Sequence, residues 1–262
     1  MERVSSFGYA YSADGFNIDK RLEHPVFEKS DDPVESRGVE DPRAVIMDGT
    51  VYMNYTGYDG HKAHVCMASL DLEELKNGRF NWNRRGCILP VLPVPGKDDK
   101  NAALFPEKIN GSYILIHRIP PDIWFSYSDD LKTWHGHKII ARPRQGMWDN
   151  AKIGAGGPPI RTEAGWLFIY HGVESDPAGG FKAYRLGFML LDLKNPEKIL
   201  FRSREPVLEP AREYEEQGAV QNVVFTCASV LIKDKIFTYY GGADTVICLA
   251  TCKLDDLLSL AR

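Results

Sequence analysis

The stretch EDPRAVIMDGTVYMNYTG, residues 40–57, decides the fold. Two runs with apolar side chains at alternate positions flank the turn signal Asp48-Gly49, so the stretch reads as strand, turn, strand. It opens on a proline-containing entry that carries Glu40, Asp41 and Arg43. Three later segments repeat the plan: LFPEKINGSYILIHR from Leu104, GPPIRTEAGWLFIYHG from Gly157, and NVVFTCASVLIKDKIFTYYGG from Asn222. Their entries lie roughly 50 to 65 residues apart, a period that suits a four-stranded propeller blade with extended loops.

Working outward, strand-like runs fill most of the chain: VYMNY at 51, VCMASL at 65, YILIHR at 113, IWFSYS at 123, WLFIYHG at 166, YRLGFMLLDL at 184 and VICLATC at 246. Turn signals separate them, and amphipathic helices are nearly absent, with a helical turn at DLEELKNG and a short terminal helix at DDLLSLAR. The class is all-β. YSADGFNI near the amino terminus echoes YSDDLKTW at 127, so residues 4 to 26 read as the outer strand of a further blade completed by the carboxy terminus. The expectation is one five-bladed β-propeller over residues 1–262, whose ring protects its edge strands; a β-sandwich is the weaker reading. RRGCILPVLPVPGKDDK, residues 84–100, reads as a long proline-rich loop, a lid or a connector.

The chain has 262 residues, 44% of them apolar and 26% charged, which is the composition of a globular protein with many turns. A net charge of -4 argues against non-specific nucleic-acid or anionic-membrane binding. No apolar leader or run near 20 apolar residues occurs, so a cytoplasmic location is expected. The five cysteines lack paired metal-ligand spacing and read as buried free thiols.

In a propeller, blade entries and the ends of second strands face a central funnel. Polar groups recur at those positions: Asp41 and Arg43, then Lys100, Asn101, His117 and Arg118, then Lys152 and His171, then Asp244. With GVEDPR, KNAALFPEKINGSYILIHR, WDNAKIGAGGPPI, GWLFIYHGV, LLDLKNPEKI, GAVQNVVF and YYGGAD, the sequence resembles glycoside hydrolase family 130, the β-mannoside phosphorylases and their hydrolytic relatives, over about residues 8 to 257.

The resemblance implies a five-bladed propeller and a catalytic acid at Asp41. It implies inverting phosphorolysis of a non-reducing-end β-mannosidic bond, giving α-mannose 1-phosphate and a shortened acceptor. The acid's proton passes through the mannosyl C3 hydroxyl to the leaving oxygen. An inverting hydrolase needs a second carboxylate to activate water, whereas phosphate is already an anion and needs cationic donors to hold it. Lys100, Asn101, Arg118, Lys152 and His171 match that phosphate-binding set; Lys100 stands where arginine is expected in some relatives, exchanging a planar fork for a point charge. Glu40, Arg43 and Asp244 match substrate-binding positions. Inorganic phosphate is the co-substrate and a β-mannoside oligosaccharide the partner. No metal or other cofactor is implied, and a homo-oligomer is compatible with the resemblance.

Other readings stand beside this one. A β-mannosidase would need a base, with Glu174, Glu213 and Glu216 as candidates. A carbohydrate-binding propeller would need no acid. His117 reads as a structural or supporting residue, the Gly-rich turn after Lys152 as backbone geometry, and Trp124, Trp148, Tyr170, Tyr239 and Tyr240 mostly as packing between sheets. Arg142 and Arg144 reach either the surface or the funnel. Linkage, β-1,4 or β-1,2, and the acceptor depend on loops without a decisive motif.

Overall fold

The computed structural model describes residues 4–261. The 40–57 stretch forms β3 and β4 of a regular hairpin, after two short strands, β1 (Ala10–Tyr11) and β2 (Lys20–Arg21). β3 spans Gly38–Met47 and β4 Thr50–Tyr58, with Met47 paired to Thr50. Asp48 and Gly49 between them have φ of +48° and +75°, the positive pair whose twist matches that of flanking strands and which Asp-Gly adopts at little cost. β5 (Ala63–Asp71) and β6 (Asn83–Cys87) complete the first sheet.

The second sheet holds β7 (Lys100–Leu104), β8 (Tyr113–Ile119), β9 (Asp122–Ser128) and β10 (His135–Ala141) in sequential antiparallel order. The third holds β11 (Lys152–Ala155), β12 (Ile160–Thr162), β13 (Gly165–Ser175), β14 (Phe181–Leu191) and β15 (Ile199–Arg202); β11 and β12 both pair with β13. The fourth holds β16 (Val224–Ile232), β17 (Lys235–Gly242) and β18 (Val246–Lys253). These four sheets are the blades of an all-β propeller-like fold. The strand-like runs from Val51 onward each lie in one, whereas the outer strand expected over residues 4 to 26 does not.

The core lies between blades. Leu104 and Leu115 of the second sheet pack on Val65 and Met67 of the first. Phe105 and Phe125 meet Trp166 and Phe168 of the third, and Phe188 and Leu190 meet Val224 and Ile236 of the fourth. A blade covered on both faces has no solvent side, so β13 is buried continuously over Gly165–Val173 instead of alternating.

Between the fourth and first sheets runs the amino-terminal segment. Phe16 packs edge-on against Phe237 at 5.1 Å, and Tyr239 Oη donates to the Gly15 carbonyl at 2.8 Å. On the other side Phe7 and Phe27 pack on Tyr55. A fifth full sheet is not present among the described residues. Nor does the carboxy terminus join this segment: its helix, Leu254–Ser259, buries Leu257 in the cluster between the third and fourth sheets. The apolar stripe of LDDLLS finds its cover there, and this decides against the expected pairing.

One further difference concerns local structure. Arg84–Cys87 is strand, not loop, because Cys66 pairs with Cys87 and Gly86, at φ +66°, supplies a bulge. The helical turn expected at DLEELKNG forms over Leu72–Lys76, capped by the Asp71 carboxylate accepting from the Glu73 and Glu74 amides. All five cysteines are free, but where burial was expected only Cys66 is buried: Cys87, Cys227 and Cys248 are half-buried and Cys252 is exposed. No helix among the described residues is long and apolar enough to cross a membrane.

Candidate active site

The register of the first two blades breaks at their entries. In β3 the pairing jumps from Glu40 to Arg43, and in β7 from Lys100 to Ala103. Each bulge puts one residue in the left-handed region, Asp41 at φ +56° and Asn101 at +54°. Bulges re-aim side chains, and these two aim at each other: Asn101 Nδ2 donates to Asp41 Oδ2 at 3.2 Å. Asp244 is a third such residue, at φ +55° in the turn after β17. Sequence spacing gives no sign of these conformations, although aspartate and asparagine tolerate them best.

All three line a cavity of about 730 Å³ together with Glu40, Lys100, Arg118 and Tyr184. Lys100 Nζ donates to Glu40 at 3.1 Å. Arg118 is 8% exposed. Its Nη1 donates to His171 Nε2 at 3.3 Å, while Nε has no protein partner. Burial pulls the Arg118 guanidinium below its ordinary pKa, opposed by Tyr184 and Asp41, but an arginine keeps its charge in proteins. A buried cation with an uncommitted donor beside an open cavity is suited to an oxyanion. The cavity thus gathers a carboxylic acid group and two cations in one lining.

The model of the glycoside hydrolase 130 family, described as β-1,4-mannooligosaccharide phosphorylase, matches residues 2–262. The chain belongs to glycoside hydrolase family 130. Two relatives from Thermoanaerobacter sp. (strain X514) are similar to it. The 1,2-β-oligomannan phosphorylase is 44% identical over 97% of this chain and 80% of its own. The β-1,2-mannobiose phosphorylase is 47% identical over 94% and 76%. The solved β-1,2-mannobiose phosphorylase from Listeria innocua, in complex with β-1,2-mannobiose, superposes with a TM-score of 0.83 at 31% identity, over 96% of this chain and 68% of that one.

Within this family 130 chain the residues singled out from sequence divide into two sets. Asp41, Glu40, Lys100, Asn101, Arg118 and Asp244 surround one cavity. Arg43, expected against substrate, does not reach it: its side chain is fully buried, with Nη1 donating to the Asp41 carbonyl at 2.8 Å and Nε and Nη2 to Gly156 and Ala155 of the third blade. It holds the backbone of Asp41 instead. His171 is likewise fully buried behind Arg118, between Tyr184 and Phe225. Since arginine only donates, His171 Nε2 must accept, which makes it a neutral imidazole aligning Arg118. Lys152 is half-buried, its Nζ 5.2 Å from the Tyr184 ring centre.

Tyr184 and Phe225 escaped the sequence reading because they look like ordinary alternating strand aromatics. Trp148 and Tyr170, by contrast, are core, and Arg144 pairs with buried Asp149 and not with the funnel. None of Glu174, Glu213 or Glu216 lines the cavity; Glu174 pairs with Lys182 and Arg185.

Two predictions follow from the packing behind Arg118. Gly154 lies so close that an added Cβ would sit 2.6 Å from His171 Cε1 and 2.7 Å from Asn101 Oδ1. Gly154→Ala therefore displaces both, with an expected loss of about 1–3 kcal/mol of stability and reduced turnover, read by thermal melting and initial rates. An unchanged melting temperature would show that the pocket yields freely.

The second concerns pH. Burial first, then the charges of Arg118, Arg43 and Lys152, hold the His171 pKa well below the ordinary 6.5. The unfolded chain then binds a proton at this position that the native chain refuses, so stability falls as pH drops through about 6.5, by at most about 1.4 kcal/mol per unit. His171→Gln should flatten that part of the stability curve measured by denaturant titration between pH 7 and 5.

Proposed function

We propose that the chain catalyses inverting phosphorolysis of a non-reducing-end β-mannosidic bond, releasing α-mannose 1-phosphate and a shortened acceptor. The observation that carries this reading is the presence, in the lining of one cavity, of the Asp41 carboxyl group together with the buried Arg118 cation and Lys100. Asp41 gives its proton, through the mannosyl C3 hydroxyl, to the leaving oxygen. Phosphate, held by Lys100, Asn101 and Arg118, attacks the anomeric carbon from the opposite face. Arg43 and His171 support this arrangement from behind, and Lys152 contributes positive potential beside Tyr184. Asp244 and Glu40 are placed to bind sugar hydroxyls. The reaction so written uses no metal or organic cofactor.

The linkage we favour is β-1,2, because the two Thermoanaerobacter relatives carry that linkage in their names at 44% and 47% identity. Five-bladed closure belongs to the same reading: residues 4–27 occupy the fifth position, supported by their contacts to both the fourth and the first sheet. A cytoplasmic setting suits an enzyme that consumes inorganic phosphate and makes a charged sugar.

A hydrolytic reading meets a specific difficulty. Glu40 and Asp244 are the remaining carboxylates among the described lining residues, and Glu40 is tied to Lys100. Asp244 would have to serve as base. The deciding experiment incubates the protein with β-1,2- and β-1,4-mannobiose, with and without inorganic phosphate, and follows mannose 1-phosphate and free mannose separately. Phosphate-dependent mannose 1-phosphate from the β-1,2 sugar is expected; phosphate-independent mannose would overturn the phosphorylase reading.

A further inference from the structure

We propose that the buried pair Asp99 and His117 is a positioning device for the phosphate donors of the second blade; the proposal rests on the phosphorolytic reading above. Asp99 is 1% exposed and His117 fully buried. His117 Nδ1 lies 2.8 and 3.0 Å from the two Asp99 carboxylate oxygens. A carboxylate only accepts, so the imidazole carries its proton at Nδ1. Groups of this kind stay buried only when each satisfies the other.

Their place in the chain gives the pair its role. Asp99 directly precedes Lys100 and Asn101, and His117 directly precedes Arg118, whose register partner is Lys100. Neighbouring residues on a strand point to opposite faces, so His117 lies behind the sheet face from which Arg118 reaches the cavity. The bulge between Lys100 and Ala103 interrupts the backbone ladder at this point. Regular pairing therefore sets Lys100 opposite Arg118 but leaves Asn101 inside the bulge, and the side-chain bond between Asp99 and His117 fixes the two strands to each other beside it. The Asp99 amide also donates to the Ala63 carbonyl of the first blade at 3.1 Å, tying the pair to the sheet that carries Asp41. An outer link, His117 Nε2 to Ser126 Oγ at 2.7 Å, continues away from the cavity.

The test compares variants that keep or break the inner bond. In His117→Asn the side-chain amide stands near the place of Nδ1 and can still donate to Asp99. In His117→Gln the amide reaches toward Ser126 instead. With β-1,2-mannobiose saturating and phosphate varied, His117→Gln should raise the KM for phosphate about tenfold through misplacement of the donors, with the KM for mannobiose unchanged. His117→Asn should stay within about twofold of wild type, and Ser126→Ala should match wild type. Asp99→Asn, which keeps an acceptor but loses the charge assistance, should raise the phosphate KM about threefold, and it carries the test if His117→Gln does not fold. Equal effects of His117→Asn and His117→Gln, or an unchanged phosphate KM in His117→Gln and Asp99→Asn, would overturn the proposal. Wild-type turnover that ignores phosphate would instead sink the phosphorolytic reading, and this proposal with it.

Discussion

Asp41→Asn should lower the rate of mannoside phosphorolysis by about 10²- to 10⁴-fold, the range that a positioned general acid supplies. The exchange is nearly isosteric, and asparagine tolerates the left-handed backbone at this position as well as aspartate does. The amide oxygen can still accept from Asn101, whose Nδ2 lies 3.2 Å from Asp41 Oδ2. Fold and phosphate binding should therefore survive, which phosphate-induced stabilisation in a melting experiment would register. The loss should shrink on an aryl mannoside whose phenolate leaves without protonation, because an acid assists in proportion to the basicity of the leaving oxygen. A loss that is the same on both kinds of substrate would assign Asp41 to binding instead of proton donation.

Arg118→Ala should raise the KM for phosphate by about 10- to 150-fold, corresponding to the 1.5–3 kcal/mol of a hydrogen bond to a charged group. Arg118 is 8% exposed and its Nε has no protein partner, so the side chain is already held in place and little ordering is left to do when the anion arrives. Arg118→Lys should fall between wild type and alanine, since it keeps the charge and loses the fork. Removing a buried cation relieves a desolvation cost, and the melting temperature without phosphate should therefore fall little. Comparable loss of activity in a reaction run without phosphate would contradict the assignment.

How much of this was legible in the sequence depends on whether the information is local. The 40–57 hairpin follows from alternation and from Asp48-Gly49, both of which act over a few residues. Asp41, Asn101 and Arg118 stood out because polar side chains at repeated blade entries are unusual. The roles of Arg43 and His171 were not legible, since burial is set by what crosses the channel: Ala155 and Gly156 lie more than a hundred positions from Arg43. Tyr184 was hidden for the opposite reason, looking like any strand aromatic. The carboxy terminus is placed by Leu254 and Leu257 packing in the cluster between the third and fourth sheets, a long-range contact that no short-range pattern encodes. Likewise the strand at Arg84–Cys87 depends on Cys66 as the partner of Cys87, twenty-one positions away.

The Arg43 side chain starts on one blade and ends on the carbonyl groups of another, while also holding the backbone of Asp41. A ring that loosened between these blades would carry the acid away from its partners at once. Loss of turnover and separation of these sheets on heating are therefore expected to coincide, because both depend on the same guanidinium.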